Sequence, residues 1–123
     1  SMGGTVLGSG SGAAVASYGL QFVGNPYVSG GTSLTNGADC SGFTQSVYAR
    51  FGISLPRTSG AQAGVGKGVS YSEAKAGDLI CYSGHVAIYI GGGKIVHAAN
   101  SRKGICVSNA KYAPILTVRR IIE

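Results

Sequence analysis

Residues 85–97, HVAIYIGGGKIVH, indicate a β-hairpin and decide the fold of this chain. The runs on either side of the glycines are short and rich in β-branched residues, as strands are, and Gly91-Gly92-Gly93 forms the turn. The hairpin begins at His85 and ends at His97, which are the two histidines of the sequence. Whether they can act together therefore depends on how the two strands pair.

The register of this hairpin sets the faces on which the histidines lie. If Ile90 pairs with Lys94 across a three-residue loop, His85 is a diagonal neighbour of His97 on one face, roughly 7–8 Å away. If instead Tyr89 pairs with Gly93, across a three-residue loop one position earlier, the two histidines lie directly opposite each other. A two-residue loop sends them to opposite faces. Two of these three registers bring the histidines together.

Asp39-Cys40-Ser41-Gly42 places a cysteine at the start of an apolar-periodic helix. Unsatisfied N–H groups and the positive end of the helix dipole favour a thiolate at that position. With an imidazole nearby, Cys40 has the setting of a cysteine nucleophile. Ala87 and Ala99 share the predicted face of the histidines, and we expect their small side chains to let the helix N-terminus approach.

The chain divides into a helical first half and a strand-rich second half. Apolar residues at helical spacing predict helices over residues 13–23 and 40–51, the second ending at Gly52, and a short helical turn over 58–63. Short β-branched runs predict strands over 78–82, 85–90, 94–98, 105–108 and 116–121. Helices segregated from an antiparallel sheet make an α+β domain.

Composition and charge narrow the classes of partner. The 123 residues suffice for one domain, with residues 1–12 predicted as a Gly/Ser-rich linker and 13–123 as the folded part. Ser1-Met2 reads as a cloning remnant, so we expect that an export signal or a partner domain can precede residue 1. The net charge of +6 suggests an anionic partner, such as a wall polymer. The basic residues are scattered without a nucleic-acid module, and no run is suited to span a membrane.

The chain has three cysteines, an odd number, so one thiol stays free even if the other two pair. Cys81 and Cys106 lie in short apolar runs and are interpreted as small buried hydrophobic residues. A disulfide between them is an alternative that the sequence leaves open. Cys40 is the reactive candidate.

Six blocks along the chain closely resemble the NlpC family of papain-like cysteine endopeptidases, which cut bacterial peptidoglycan. The resemblance covers residues 13–121 and implies a papain-like fold in which N-terminal helices pack on a central antiparallel sheet. It also implies that 13–123 is an NlpC-type catalytic domain. The blocks, in order, are Gly24-Asn25-Pro26-Tyr27-Val28-Ser29-Gly30-Gly31, Ala38-Asp39-Cys40-Ser41-Gly42-Phe43, Leu55-Pro56-Arg57-Thr58-Ser59, Ala76-Gly77-Asp78-Leu79, Gly84-His85-Val86-Ala87-Ile88-Tyr89 and Ile95-Val96-His97-Ala98.

The resemblance implies a role for each matched position. Cys40 would be the nucleophile, His85 the general base, and His97 the third member that holds His85 in the required tautomer. Tyr27 matches a family tyrosine beside the nucleophile that helps to stabilise the oxyanion, with the backbone N–H of Cys40 as a second donor. On local sequence alone, an aromatic side chain packed after a proline turn is the alternative for Tyr27.

Four further residues are candidates for binding substrate. The resemblance places Asp39 and Ser41 in the pocket for the N-terminal side of the stem peptide, although Asp39 also reads as a helix N-cap. Arg57 could hold a substrate carboxylate or form a structural salt bridge, for instance to Asp78. Many relatives carry Trp where this chain has Ser29, which predicts a wider or more polar subsite. The loop 32–36 is expected to border the groove.

The implied reaction is hydrolysis of the bond from γ-D-glutamyl, or D-isoglutaminyl, to the diamino acid of peptidoglycan stem peptides. We expect a monomer that is secreted to a bacterial cell wall or envelope and that needs no cofactor or metal. The alternatives are an N-acetylmuramoyl-L-alanine amidase or a transacylase with the same triad, a zinc site built from Cys40, His85 and His97, and a non-catalytic wall-binding module.

Overall fold

The computed structural model describes residues 11–122, and its three α-helices all lie in the first half of this range. Helix α1 spans Gly12–Leu20, α2 spans Cys40–Ala49 and α3 spans Ser59–Gln62. Each begins after a side-chain cap, supplied in turn by Ser11, Asp39 and Thr58. The predicted helices are confirmed, with slightly earlier ends. Gly52 has a φ of +79°, a conformation glycine adopts without strain, and it turns the chain away after α2.

Six strands of the described chain form one antiparallel sheet, and two short ones form a separate hairpin. The predicted strands are confirmed; the short edge strand β3 and the small hairpin within residues 32–38 were not predicted. The sheet order is β3-β8-β4-β5-β6-β7. The strands are β1 Thr32–Ser33, β2 Gly37–Ala38, β3 Lys67–Val69, β4 Leu79–Tyr82, β5 His85–Gly91, β6 Lys94–Asn100, β7 Gly104–Asn109 and β8 Thr117–Arg120. Single 3-10 turns lie at Tyr71–Glu73 and Ala110–Tyr112.

The β5–β6 hairpin closes differently from either three-residue loop. Gly91 pairs with Lys94, which leaves a two-residue turn, the length expected to separate the histidines. A β-bulge between Tyr89 and Gly91 then shifts the register by one residue, so that Tyr89 pairs with Ile95. Continuing this register places Ala87 opposite His97 and makes His85 a diagonal neighbour of His97. The bulge therefore restores the shared face that the two-residue turn alone would remove.

The sheet is covered on both faces. Helices α1 and α2 pack on the first face through a cluster whose buried members are Val15, Ala38, Phe43, Val47, Tyr48, Leu55, Leu79, Cys81, Val86, Ile88, Val96, Ala98 and Ile105. The opposite face carries a second cluster of Ile80, Tyr82, Ala87, Tyr89, Ile95, Ala110 and Val118. The expectation that Ala87 would face α2 is wrong, because Ala87 lies in the second cluster.

No disulfide joins the cysteines of the described chain, and Cys40, Cys81 and Cys106 are all free thiols. Cys81 is fully buried, as its apolar run predicts, whereas the prediction of burial is wrong for Cys106, which is only partly buried on the edge strand β7. None of the helices in residues 11–122 is long and apolar enough to cross a membrane.

A buried ion pair ties the last strand to the turn before β4. Arg120 donates to both oxygens of Asp78, at 3.1 and 2.8 Å, and the two side chains are 9% and 3% exposed. Asp78 also accepts from the backbone N–H of Lys75 at 2.8 Å. The suggestion that Asp78 pairs with Arg57 is wrong, since Arg57 lies elsewhere. A charge pair this deep is costly to break, because the remaining charge keeps its desolvation penalty.

Replacing Asp78 with Asn should lower the free energy of unfolding by about 3 kcal/mol, measured by urea denaturation. The matched control is Asp78→Leu with Arg120→Met, which removes both charges and should recover part of that loss. An Asp78→Asn variant as stable as the wild type would contradict this role for the ion pair.

Candidate active site

The two histidines contact each other at the end of the sheet. His85 Nε2 lies 2.7 Å from His97 Nδ1, and the rings are edge-on, with centroids 5.0 Å apart. His97 is only 3% exposed, whereas His85 is partly exposed. Strands β5 and β6 supply one ring each, so their register fixes the contact.

Ser108 continues this chain of hydrogen bonds and was missed by sequence reasoning. Its Oγ lies 3.0 Å from His97 Nε2. In the β6–β7 register His97 pairs with Cys106, which makes Ser108 its diagonal neighbour. No local motif marks this residue; only the pairing of the two strands could have revealed it.

Both imidazoles favour the neutral form. Burial lowers the pKa of His97 to about 4, helped by the nearby charges of His85 and Lys103. Burial also lowers the pKa of His85 below its usual 6.5. Each ring therefore carries one proton at neutral pH, and each has one nitrogen able to accept a hydrogen bond.

Cys40 is the first residue of α2, and it is half-buried. Burial raises the pKa of its thiol, and a hydrogen bond from the backbone N–H of Val86 only partly opposes this effect. The expected thiolate is therefore not favoured at rest, because desolvation outweighs the helix start. Among the described residues, no hydrogen bond joins Cys40 to His85. The contact with Val86 nevertheless places the sulfur beside the residue that follows His85 in β5.

Two tyrosines flank the cysteine and the histidines. Tyr27 is half-buried, and its pKa is raised by burial and then by the negative charges of Cys40 and Asp39. Tyr112, which sequence reasoning missed, lies on the 3-10 turn after β7. Its ring centroid is 6.4 Å from that of His85 and 5.8 Å from that of His97. Both phenols keep their protons at neutral pH and can donate hydrogen bonds.

Asp39, Ser41 and Arg57 form one polar cluster beside Cys40. Arg57 donates to both oxygens of Asp39, at 3.1 and 3.0 Å, and to Ser41 Oγ at 2.9 Å. Burial alone would raise the pKa of Asp39, but the hydrogen bonds from Arg57 and from the N–H groups of Gly42 and Gly30 outweigh it and lower the pKa. The sequence allowed two roles for Asp39, a helix cap and a substrate-binding residue. It caps α2 through Gly42 at 2.8 Å and belongs to the cluster as well.

Ser29 is exposed next to this cluster, in the turn before β1. The following N–H, that of Gly30, donates to Asp39 Oδ2 at 3.0 Å. The turn also approaches α2 closely, since a Cβ on Gly42 would lie 2.1 Å from the carbonyl oxygen of Gly31. The absence of a side chain at Gly42 is therefore needed for the Ser29 turn to reach the start of the helix.

The side-chain amide of Gln62 contacts this cluster from the protein interior. It is fully buried, and its Nε2 donates to the carbonyls of Ser41 and Pro56 at 3.1 and 2.9 Å. Thr44 donates to its Oε1 at 2.5 Å. Gln62 thus joins the first turn of α2 to the segment that carries Arg57. Nothing in its local sequence predicted this contact.

The arrangement does not suit the zinc alternative. The facing nitrogens of His85 and His97 bond to each other rather than converging with Cys40 on a common point. Within residues 11–122, no group of three or more His, Cys, Asp or Glu side chains is placed to hold a metal ion.

Comparisons with known proteins agree on one family. The model of the NlpC/P60 family matches residues 24–118. A probable endopeptidase of Corynebacterium glutamicum is 45% identical over 95 residues, which are 75% of this chain and 45% of that protein. A gamma-D-glutamyl-L-lysine dipeptidyl-peptidase of Bacillus subtilis is 43% identical over 95 residues, 71% of this chain and 32% of the relative. The chain thus spans less than half the length of either relative.

A solved structure supports the same assignment. The NlpC/p60 domain of the peptidoglycan hydrolase SagA superposes with a TM-score of 0.82 at 34% identity, covering 90% of this chain and 99% of that domain. The α+β, papain-like fold expected from the sequence is confirmed.

The buried imidazole of His97 should make stability fall with acid. Its pKa is about 4 in the folded state and 6.5 when unperturbed, so the folded protein disfavours its protonation. The contribution of the neutral His97 imidazole to the free energy of unfolding is fully present above pH 6.5, and it is lost as the pH falls to 4. Between these limits the wild type should lose about 3 kcal/mol more unfolding free energy than His97→Gln. Equal losses in urea titrations of the two proteins would contradict the assignment.

Proposed function

The chain belongs to the NlpC/P60 family, and on that premise we propose that it is a cell-wall cysteine endopeptidase. Its substrate would be the bond from γ-D-glutamyl, or D-isoglutaminyl, to the diamino acid of peptidoglycan stem peptides. The observation that carries the proposal is the 2.7 Å contact between His85 Nε2 and His97 Nδ1, with Cys40 at the adjoining helix start. This set supplies a nucleophile, a base and an orienting group.

Proton transfer begins from a neutral thiol and a neutral imidazole. His85 Nδ1 is the nitrogen left for Cys40, because Nε2 is taken by His97. Two tautomer arrangements satisfy the hydrogen bonds; only one, in which His85 and His97 are both protonated on Nε2, leaves His85 Nδ1 bare. In that arrangement His97 donates to Ser108 Oγ at 3.0 Å, and His85 acts as the base.

The reaction is an acyl transfer to water. His85 Nδ1 takes the thiol proton as Cys40 Sγ attacks the amide carbon, and the backbone N–H of Cys40 and the Tyr27 hydroxyl stabilise the oxyanion. The imidazolium then protonates the leaving amine of the diamino acid, and a thioester remains. Water gives a proton to His85 and attacks the thioester, which releases the glutamyl carboxylate and restores the thiol.

The polar cluster next to Cys40 would bind the N-terminal side of the stem peptide. Asp39 keeps its negative charge, so its carboxylate can accept hydrogen bonds from the N–H groups on the alanyl side of the stem peptide. Arg57 is occupied by Asp39 and Ser41, so we assign it to holding these two residues in place rather than to binding a substrate carboxylate. Ser29 would leave the adjoining wall of the subsite open and polar.

The wider setting follows from the family and the charge. Family members act on the cell wall, and a net charge of +6 fits a wall that carries anionic polymers. We assign residues 13–123 to the catalytic unit, acting as a monomer in a protein secreted to the envelope.

Cys40→Ala should abolish digestion of purified peptidoglycan, with a loss of about a thousandfold or more, because no other group can form the thioester. Mass spectrometry of the products should show wild-type cleavage after the glutamyl residue. Cys81→Ala is the matched control, because it removes a thiol buried in the first core cluster, and it should retain activity. Sugar chains freed of whole peptides would indicate an amidase, and equal digestion by the wild type and Cys40→Ala would refute the nucleophile.

Ser108→Ala should lower kcat on a soluble stem peptide about tenfold with little change in KM, because His97 Nε2 then loses its partner and His97 holds the His85 ring less firmly. Ser108→Thr keeps the hydroxyl and should restore the rate. In the wild type, the acidic limb of kcat/KM should lie below pH 6.5, since the pKa of His85 is lowered from that value. An acidic limb above 6.5, or equal rates in Ser108→Ala and wild type, would argue against this relay.

A further inference from the structure

A cleft adjoins the histidines beside His97 and Ser108. It has a volume of about 420 Å³ and lies between the β6–β7 turn and Tyr112. Because His97 forms part of its wall, the cleft opens directly onto the site described above. Its lining residues are His97, Ala99, Asn100, Lys103, Ser108, Asn109 and Tyr112.

The cleft carries the positive charge of Lys103, which no carboxylate of the described residues neutralises. Lys103 lies close enough to His97 to help lower its pKa. Within residues 11–122 the two ion pairs are Arg57–Asp39 and Arg120–Asp78, so Lys103 has no acidic partner there. The other lining groups are neutral amides, a hydroxyl, a phenol and the neutral imidazole of His97.

The turn that carries Lys103 is held in place by contacts to its backbone. Asn100 Oδ1 accepts from the N–H groups of Arg102 and Lys103, at 3.0 and 2.9 Å. Gly104 packs tightly against the segment before Tyr27, since a Cβ there would lie 2.5 Å from the carbonyl oxygen of Asn25. The Lys103 side chain takes no part in these contacts. It is therefore presented at the site from a fixed turn, and it can be replaced without removing what holds the turn.

We propose that this cleft binds the side chain of the diamino acid and selects one that ends in a carboxylate, such as diaminopimelate, over lysine. This inference rests on the proposed function. With the N-terminal side of the peptide at Asp39, as proposed above, the leaving residue would extend past the histidines to the cleft that Tyr112 lines. A carboxylate there meets the Lys103 ammonium and the amides of Asn100 and Asn109. A lysine ammonium meets a like charge and no acidic group.

The test compares two soluble tripeptides, L-alanyl-γ-D-glutamyl-diaminopimelate and L-alanyl-γ-D-glutamyl-L-lysine. The wild type should prefer the first in kcat/KM by about fivefold to tenfold, the range of a partly exposed charge-assisted hydrogen bond. Lys103→Ala should lose that preference, through a slower reaction with the diaminopimelate peptide and a reaction with the lysine peptide that is unchanged or faster, and Lys103→Glu should reverse it. Amidation of the side-chain carboxylate should abolish the wild-type preference.

Lys67→Ala is the matched control, because Lys67 is exposed on the edge strand β3, at the other side of the sheet. Lys67→Ala removes one positive charge, as Lys103→Ala does, and should keep the preference for the diaminopimelate peptide. If both peptides are cut after the glutamyl residue but Lys103→Ala leaves their ratio unchanged, the cleft is not the subsite and the proposed function stands. If the wild type cuts neither peptide at that bond, the proposed function fails and this inference fails with it.

Discussion

The pairing of β5 with β6 is the constraint on which the site depends. Two glycines form the turn, and such a turn alone would set His85 and His97 on opposite faces of the sheet. The bulge between Tyr89 and Gly91 adds the one residue that brings them back to the same face. The 2.7 Å contact between the rings and the burial of His97 against β7 both follow from this register.

Burial sets the resting protonation of the site. It lowers the pKa of both imidazoles and raises the pKa of the Cys40 thiol. The site therefore rests as a neutral thiol beside neutral rings, not as a preformed thiolate–imidazolium pair. Charge would appear only during attack, where the Val86 N–H and the helix start can stabilise it. On this account, orientation of the His85 ring contributes more to reactivity than the acidity of Cys40.

Local patterns were enough to predict most of the fold, and contacts distant in sequence explain what was missed. Periodicity and glycine stops located the helices and five strands, whereas Lys67–Val69 is too short and too glycine-rich to show alternation. Residue parity placed Ala87 with the histidines, but it could not say which face the helices cover. Ser108 and Tyr112 reach the site only through the pairing of β7 with β6 and the turn that follows, and neither carries a local signal.

Nitrogen NMR of the two imidazoles tests the central claim most directly, because the chain has only these two histidines. At neutral pH the account predicts that both rings are neutral and protonated on Nε2, with His85 Nδ1 bare and facing Cys40. A His85 ring protonated on Nδ1, or an imidazolium at that pH, would contradict it.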